Sequence, residues 1–102
     1  MKLSHSKVRA RMRTLPGWKL NAAGDGLVRQ FTFAGFPEAI AFVTRLAFDA
    51  QEQDHHPDLL ISYKRVTVTW STHSAGGVTD KDVRGARVSS AIARVIARLK
   101  VD

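Results

Sequence analysis

The sequence predicts an α+β fold: a four-stranded antiparallel sheet with helices packed on one face. Three observations predict it. Leu27 to Phe33 and Val66 to Thr72 alternate apolar and polar residues with the period of two of a half-buried strand. Pro37 to Gln53 and the run after Thr79 instead repeat apolar residues at helical spacing. The elements follow one another as helix, two strands, helix, two strands, helix. Short turns between the paired strands favour hairpins, which helices then cover from one side. A chain of 102 residues suits a single domain spanning 1–102.

Each element has a local cause. Ser4 to Thr14 reads as a short helix, with Ser4 or Ser6 available to cap it, and Leu15-Pro16-Gly17 ends it. Trp18-Lys19-Leu20 is a brief strand. It forms a hairpin with Leu27–Phe33 through the Ala23-Gly24-Asp25-Gly26 turn. The helix from Pro37 to Gln53 turns Ala39, Ile40, Val43, Leu46, Ala47 and Ala50 inward, and Glu38 complements the positive end of its dipole. Leu59–Tyr63 and Val66–Thr72 are strands joined at Lys64-Arg65. Thr79-Asp80-Lys81-Asp82 is a capping box. The helix it opens should bury Val88, Ala91, Ile92, Val95, Ile96 and Leu99, and expose Arg87, Arg94 and Arg98.

Composition excludes several chemistries. With no cysteine there is no disulfide, thiolate metal site or thiol nucleophile. No apolar run approaches the ~20 residues of a membrane-spanning helix, and no secretory signal is visible, so a cytoplasmic protein is expected. The net charge is +7. Residues 1–13 hold five basic side chains and no acid, as do residues 83–101. Such stripes are the electrostatic mark of a nucleic-acid binder. No zinc-finger spacing, aromatic RNA-binding motif or helix-turn-helix accompanies them, so solvated helix faces are expected instead and nucleic acid is not an expected partner.

Three of the four histidines fall between positions 55 and 73. His55 and His56 enter the first strand of the second hairpin and His73 leaves its second strand, so they meet at one end of the pair. Asp82 follows after the Gly76-Gly77 loop. Imidazoles titrate near neutrality, and several beside a carboxylate suit proton transfer. A three-histidine zinc site is the competing reading. Adjacent histidines rarely point at one metal, and no metal is expected here.

The residues Asp54-His55-His56-Pro57-Asp58, Tyr63, Thr72-His73, Gly76-Gly77 and Thr79-Asp80-Lys81-Asp82, at these spacings, resemble the pterin-4a-carbinolamine dehydratase family. Leu15-Pro16-Gly17-Trp18 and Leu27 to Phe33 extend the resemblance, which covers about Leu15 to Ala97. It implies a β-β-α-β-β-α fold with an extra amino-terminal helix. It also implies loss of water from 4a-hydroxytetrahydropterin, giving quinonoid dihydropterin, in tetrahydrobiopterin recycling and without a cofactor. In that reading His55 and His73 form the catalytic acid–base pair, while His56 binds and orients the pterin. Asp82 holds a histidine, and Trp18 is either a pocket wall or a core residue. The family also implies a homodimer or homotetramer. Its non-catalytic relatives offer the alternative of a transcription-factor dimerisation cofactor or a Rubisco assembly factor. Three departures stand out: Gln51 where relatives commonly carry glutamate, Leu59 where many carry an aromatic residue, and a basic first helix where theirs is often acidic.

Overall fold

A computed structural model describes residues 1–98; the expected burial of Leu99 lies outside them. Helix α1 (His5–Met12) opens at Ser4, whose Oγ accepts the Lys7 N–H at 3.3 Å. Strands β1 (Lys19–Leu20) and β2 (Leu27–Thr32) precede helix α2 (Phe36–Gln53). Strands β3 (Asp58–Ser62) and β4 (Arg65–Trp70), a 3₁₀ turn (His73–Ala75) and helix α3 (Asp80–Arg98) complete the order. No helix among the described residues is long and apolar enough to cross a membrane.

The antiparallel sheet is ordered β1-β2-β4-β3, so the inner strand of each hairpin pairs with that of the other. Leu27, Phe31, Val66, Val68 and Trp70 point into the core, as their alternation predicts. Ser62 pairs with Arg65, which moves the hairpin turn to Tyr63-Lys64 and places Tyr63 at φ 54. This corrects the expected Lys64-Arg65 turn. The backbone leaves the sheet after Trp70, two residues sooner than the apolar pattern suggests.

The helices cover one sheet face, but their buried stripes are rotated from the expected ones. In α2, Ala39, Phe42, Leu46 and Ala50 are buried, while Ile40 and Ala47 face outward. In α3 the stripe is Val83, Ala86, Ser89, Ile92 and Ile96, and Ala91 and Val95 are exposed. A helix side chain on the flank of an apolar stripe is buried only where a neighbouring element reaches it. Close approach of α3 to the sheet needs Gly85. A β-carbon there would clash with the Trp70 ring, and Trp70 Nε1 donates to Ser89 Oγ one turn further on, at 3.0 Å.

Part of the basic excess joins elements together. Arg11 Nε reaches Asp80 at 3.2 Å, and Arg87 donates to Thr14 Oγ1 at 3.1 Å, which fastens α1 to α3. Arg84 pairs with Asp49 through two bonds of 3.2 Å between α3 and α2. That hydrogen bond holds the Arg84 guanidinium above its ordinary pKa.

Candidate active site

The site begins with the way α2 stops. Asp54 takes the left-handed conformation at φ 52. The Asp54 N–H bonds Gln51 O at 3.2 Å and the His55 N–H bonds Ala50 O at 3.1 Å. These are the paired bonds of a Schellman motif, closed here by aspartate instead of glycine. The chain therefore reverses at once and delivers His55 and His56 to the start of β3. Asp58 pairs with Thr69, so this entry lies beside the end of β4, where Thr72 and His73 leave the sheet.

Asp82 ties these ends together. Its side chain is fully buried. Oδ1 stands 2.7 Å from His55 Nε2; Oδ2 accepts the Thr79 N–H at 2.9 Å and the Thr72 hydroxyl at 2.8 Å. The bond to Thr79 is the capping-box contact, and Thr79 Oγ1 in turn accepts the Lys81 N–H at 3.2 Å. One carboxylate thus starts α3 and holds a histidine. Since a carboxylate is an acceptor, this arrangement assigns a proton to His55 Nε2.

The His55 ring stacks on Trp70, with centroids 5.4 Å apart and planes 24° from parallel. Its side chain keeps 14% exposure. His56 is exposed and its Nε2 lies 2.9 Å from the uncharged amide oxygen Oε1 of Gln51. His73 is exposed at the first position of the 3₁₀ turn, next in chain to Thr72. His55, His56, His73 and Asp82 therefore share one end of the sheet. Trp18 stands elsewhere: it is buried, packs edge-on against Phe31 with centroids 5.9 Å apart, and donates to Ser90 Oγ at 2.9 Å.

Two contributors escape sequence reasoning. Trp70 is legible as an inward strand residue, but its role as the platform under His55 depends on how α2 terminates. The hydroxyl of Thr72 joins the cluster because the backbone turns just after β4. Its position beside His73 was the available signal. Among the described residues no group of three or more histidine or acidic side chains is arranged to hold a metal ion. A surface cleft bordered by Arg29, Glu38 and Arg94 is not lined by any of the three histidines.

Comparison with known proteins identifies the family and the fold. The sequence model of the family described as Pterin 4 alpha carbinolamine dehydratase matches residues 1–92. A protein of Thermosynechococcus vestitus, provisionally named pterin-4-alpha-carbinolamine dehydratase, is 48% identical over 94 residues, covering 92% of this chain and 97% of its own. A crystal structure from Brucella melitensis, titled as a transcriptional coactivator/pterin dehydratase, superposes with a TM-score of 0.88 at 38% identity. It covers 91% of this chain and 99% of the other. A pterin dehydratase-like RuBisCO assembly factor of the α-carboxysome reaches a TM-score of 0.59 at 19% identity, over 82% of this chain and 93% of its own, and shares the fold alone. With the match running through α1, the sheet, the histidine cluster and most of α3, the chain belongs to the pterin-4a-carbinolamine dehydratase family.

Proposed function

We propose that this protein catalyses loss of water from a 4a-hydroxytetrahydropterin, giving the quinonoid dihydropterin of tetrahydrobiopterin recycling. The observation that carries the reading is His55, held by buried Asp82 and stacked on Trp70 at the end of the sheet where His56 and His73 also stand. In the reaction the N5–H proton leaves, the N5 electron pair forms the C4a=N5 bond, and the C4a–O bond breaks. The leaving hydroxyl takes up a proton and departs as water. Two imidazoles suffice for these transfers, one as base and one as acid. His55 and His73 divide them; His56 orients the pterin, and Asp82 positions His55.

Dehydration kinetics test this directly. His55→Ala and His73→Ala should each lower kcat by about 10²–10⁴-fold, the usual contribution of a positioned acid or base. Wild-type kcat in both variants would refute the assignment. Absence of any rate above the spontaneous one in the unmodified protein would favour a binding role, such as the transcriptional coactivation ascribed to the Brucella melitensis relative.

Self-association as a homodimer or homotetramer belongs to the same proposal. Strand β3 is a sheet edge, and Phe48, Leu60 and Tyr63 are 75%, 66% and 67% exposed. An open strand edge beside apolar side chains is a surface suited to a second chain.

A further inference from the structure

A cleft of about 940 Å³ lies between the later part of β2, the start of α2 and the last turns of α3. Its walls carry Arg29, Arg94 and Glu38 over a floor that includes Phe31, Phe33 and Ile96. Arg29 is the unusual member. It occupies the β2 position between inward-facing Leu27 and Phe31, where alternation calls for an apolar side chain.

The Arg29 guanidinium is held on several sides. Nη1 donates to Pro16 O and to Ser90 Oγ, both at 3.1 Å, and Cζ stands 4.4 Å over the Phe31 ring. Gly17, at φ +88, lies against it; a β-carbon there would come within 2.9 Å of the guanidinium. Two neutral oxygens and a ring therefore fix the cation, and none neutralises it. Among the described residues the ion pairs are those of Arg11, His55 and Arg84, so neither Arg29 nor Arg94 faces a carboxylate within 4.0 Å.

Arg94 lies one helical turn beyond Ser90 and so shares its face of α3. Two guanidinium groups thus border the cleft, and Glu38 offsets one of the two charges. One net positive charge suits a monoanion better than a polyphosphate. A fixed planar fork also matches a carboxylate. The apolar floor, in a cleft of small-ligand size, requires hydrocarbon above it.

We propose that this cleft binds a small monocarboxylate with an aromatic or branched apolar body, its carboxylate on Arg29 and Arg94 and its body on Phe31, Phe33 and Ile96. The site is separate from the histidine cluster, and the proposal does not depend on the dehydratase reading.

Titration of the full ¹⁵N-labelled chain with 3-phenylpropionate tests it, with 3-phenylpropan-1-ol and inorganic phosphate as the comparison ligands. Saturable shifts should centre on Phe31, Phe33, Ser90 and Arg94. The alcohol should bind about tenfold more weakly or worse, as loss of a charge-assisted contact implies. Arg94→Gln, at an exposed position, should weaken the carboxylate to a similar degree, while His55→Ala should leave its binding unchanged. The proposal is overturned by absence of saturable binding, by shifts centred on His55 and Asp82, or by equal affinity for the alcohol or for phosphate. Equal carboxylate affinity in a folded Arg94→Gln protein would overturn it as well.

Discussion

Asp82 shows how much one side chain can settle. Each of its oxygens is engaged, and all its partners donate: the Thr79 amide, the Thr72 hydroxyl and His55 Nε2. Burying a carboxylate without such partners would cost several kcal/mol, so the local network offsets its desolvation. Asp82→Asn keeps the shape but replaces one acceptor with an NH₂ donor. Either the Thr79 amide or His55 then meets a donor. The lower-cost response is for His55 to move its proton to Nδ1 and present Nε2 as acceptor. The expected result is a stability loss of about 1–3 kcal/mol, from weakened bonds to a charged acceptor. A fall in kcat of about tenfold or more should accompany it, below or up to the ~10²–10⁴-fold ascribed to the acid or base itself, with KM nearly unchanged. The ¹⁵N resonances of the imidazole would report the tautomer. An unchanged tautomer with reduced kcat would show that Asp82 acts by some route other than positioning His55.

At the scale of elements, the contact between α3 and β4 supports the site from beneath. Gly85 has no side chain, which lets the Trp70 indole lie against the helix, and Ser89 holds its N–H. The same Trp70 ring stacks with His55. Gly85→Ala favours the isolated helix, since alanine is the better helix former. Here the methyl would clash with the indole ring, and overpacking of this kind typically costs about 1–3 kcal/mol. The expected variant has a lower denaturation midpoint and reduced turnover, because displacement of Trp70 moves His55. A more stable Gly85→Ala protein would show that the close packing of α3 on Trp70 does not persist in solution.

Across the whole molecule, charge and apolar surface are arranged differently. The basic ends carry the net charge, and several of their residues work as tethers: Arg11 to Asp80, Arg87 to Thr14, and Arg84 to Asp49. These are exposed pairs, whose individual contributions are small and weakened by salt. Large apolar side chains are exposed on several elements, with Phe48 on α2, Leu60 on β3 and Tyr63 in the turn after β3 the most exposed among the internal ones. Light scattering on the purified chain should therefore give the mass of a dimer or tetramer. Phe48→Glu or Leu60→Lys should shift it toward the monomer with the fold retained by circular dichroism. A monomeric unmodified protein at micromolar concentration would exclude self-association through this surface.

Much of this architecture was legible because its determinants are local. Period-two alternation identified β2 and β4, helical spacing identified α2, and the Thr79–Asp82 spacing located the start of α3. Hairpin connectivity was enough to bring His55, His56 and His73 to one end of the sheet, with Asp82 close by. Other properties depend on which elements meet, and sequence spacing does not encode that. Which strand of each hairpin lies inside the sheet and which flank of α2 and α3 is covered were settled by packing, which also buries Trp18. So was the double service of Asp82, since its capping partner is three residues away and its histidine twenty-seven. By itself the sequence determined the elements, their order and the gathering of proton-transfer groups, because turns and periodicity act over a few residues. Only the tertiary structure decided the sheet order, the bond between His55 and Asp82 and the fixed guanidinium of Arg29, because each requires distant segments to close on one another.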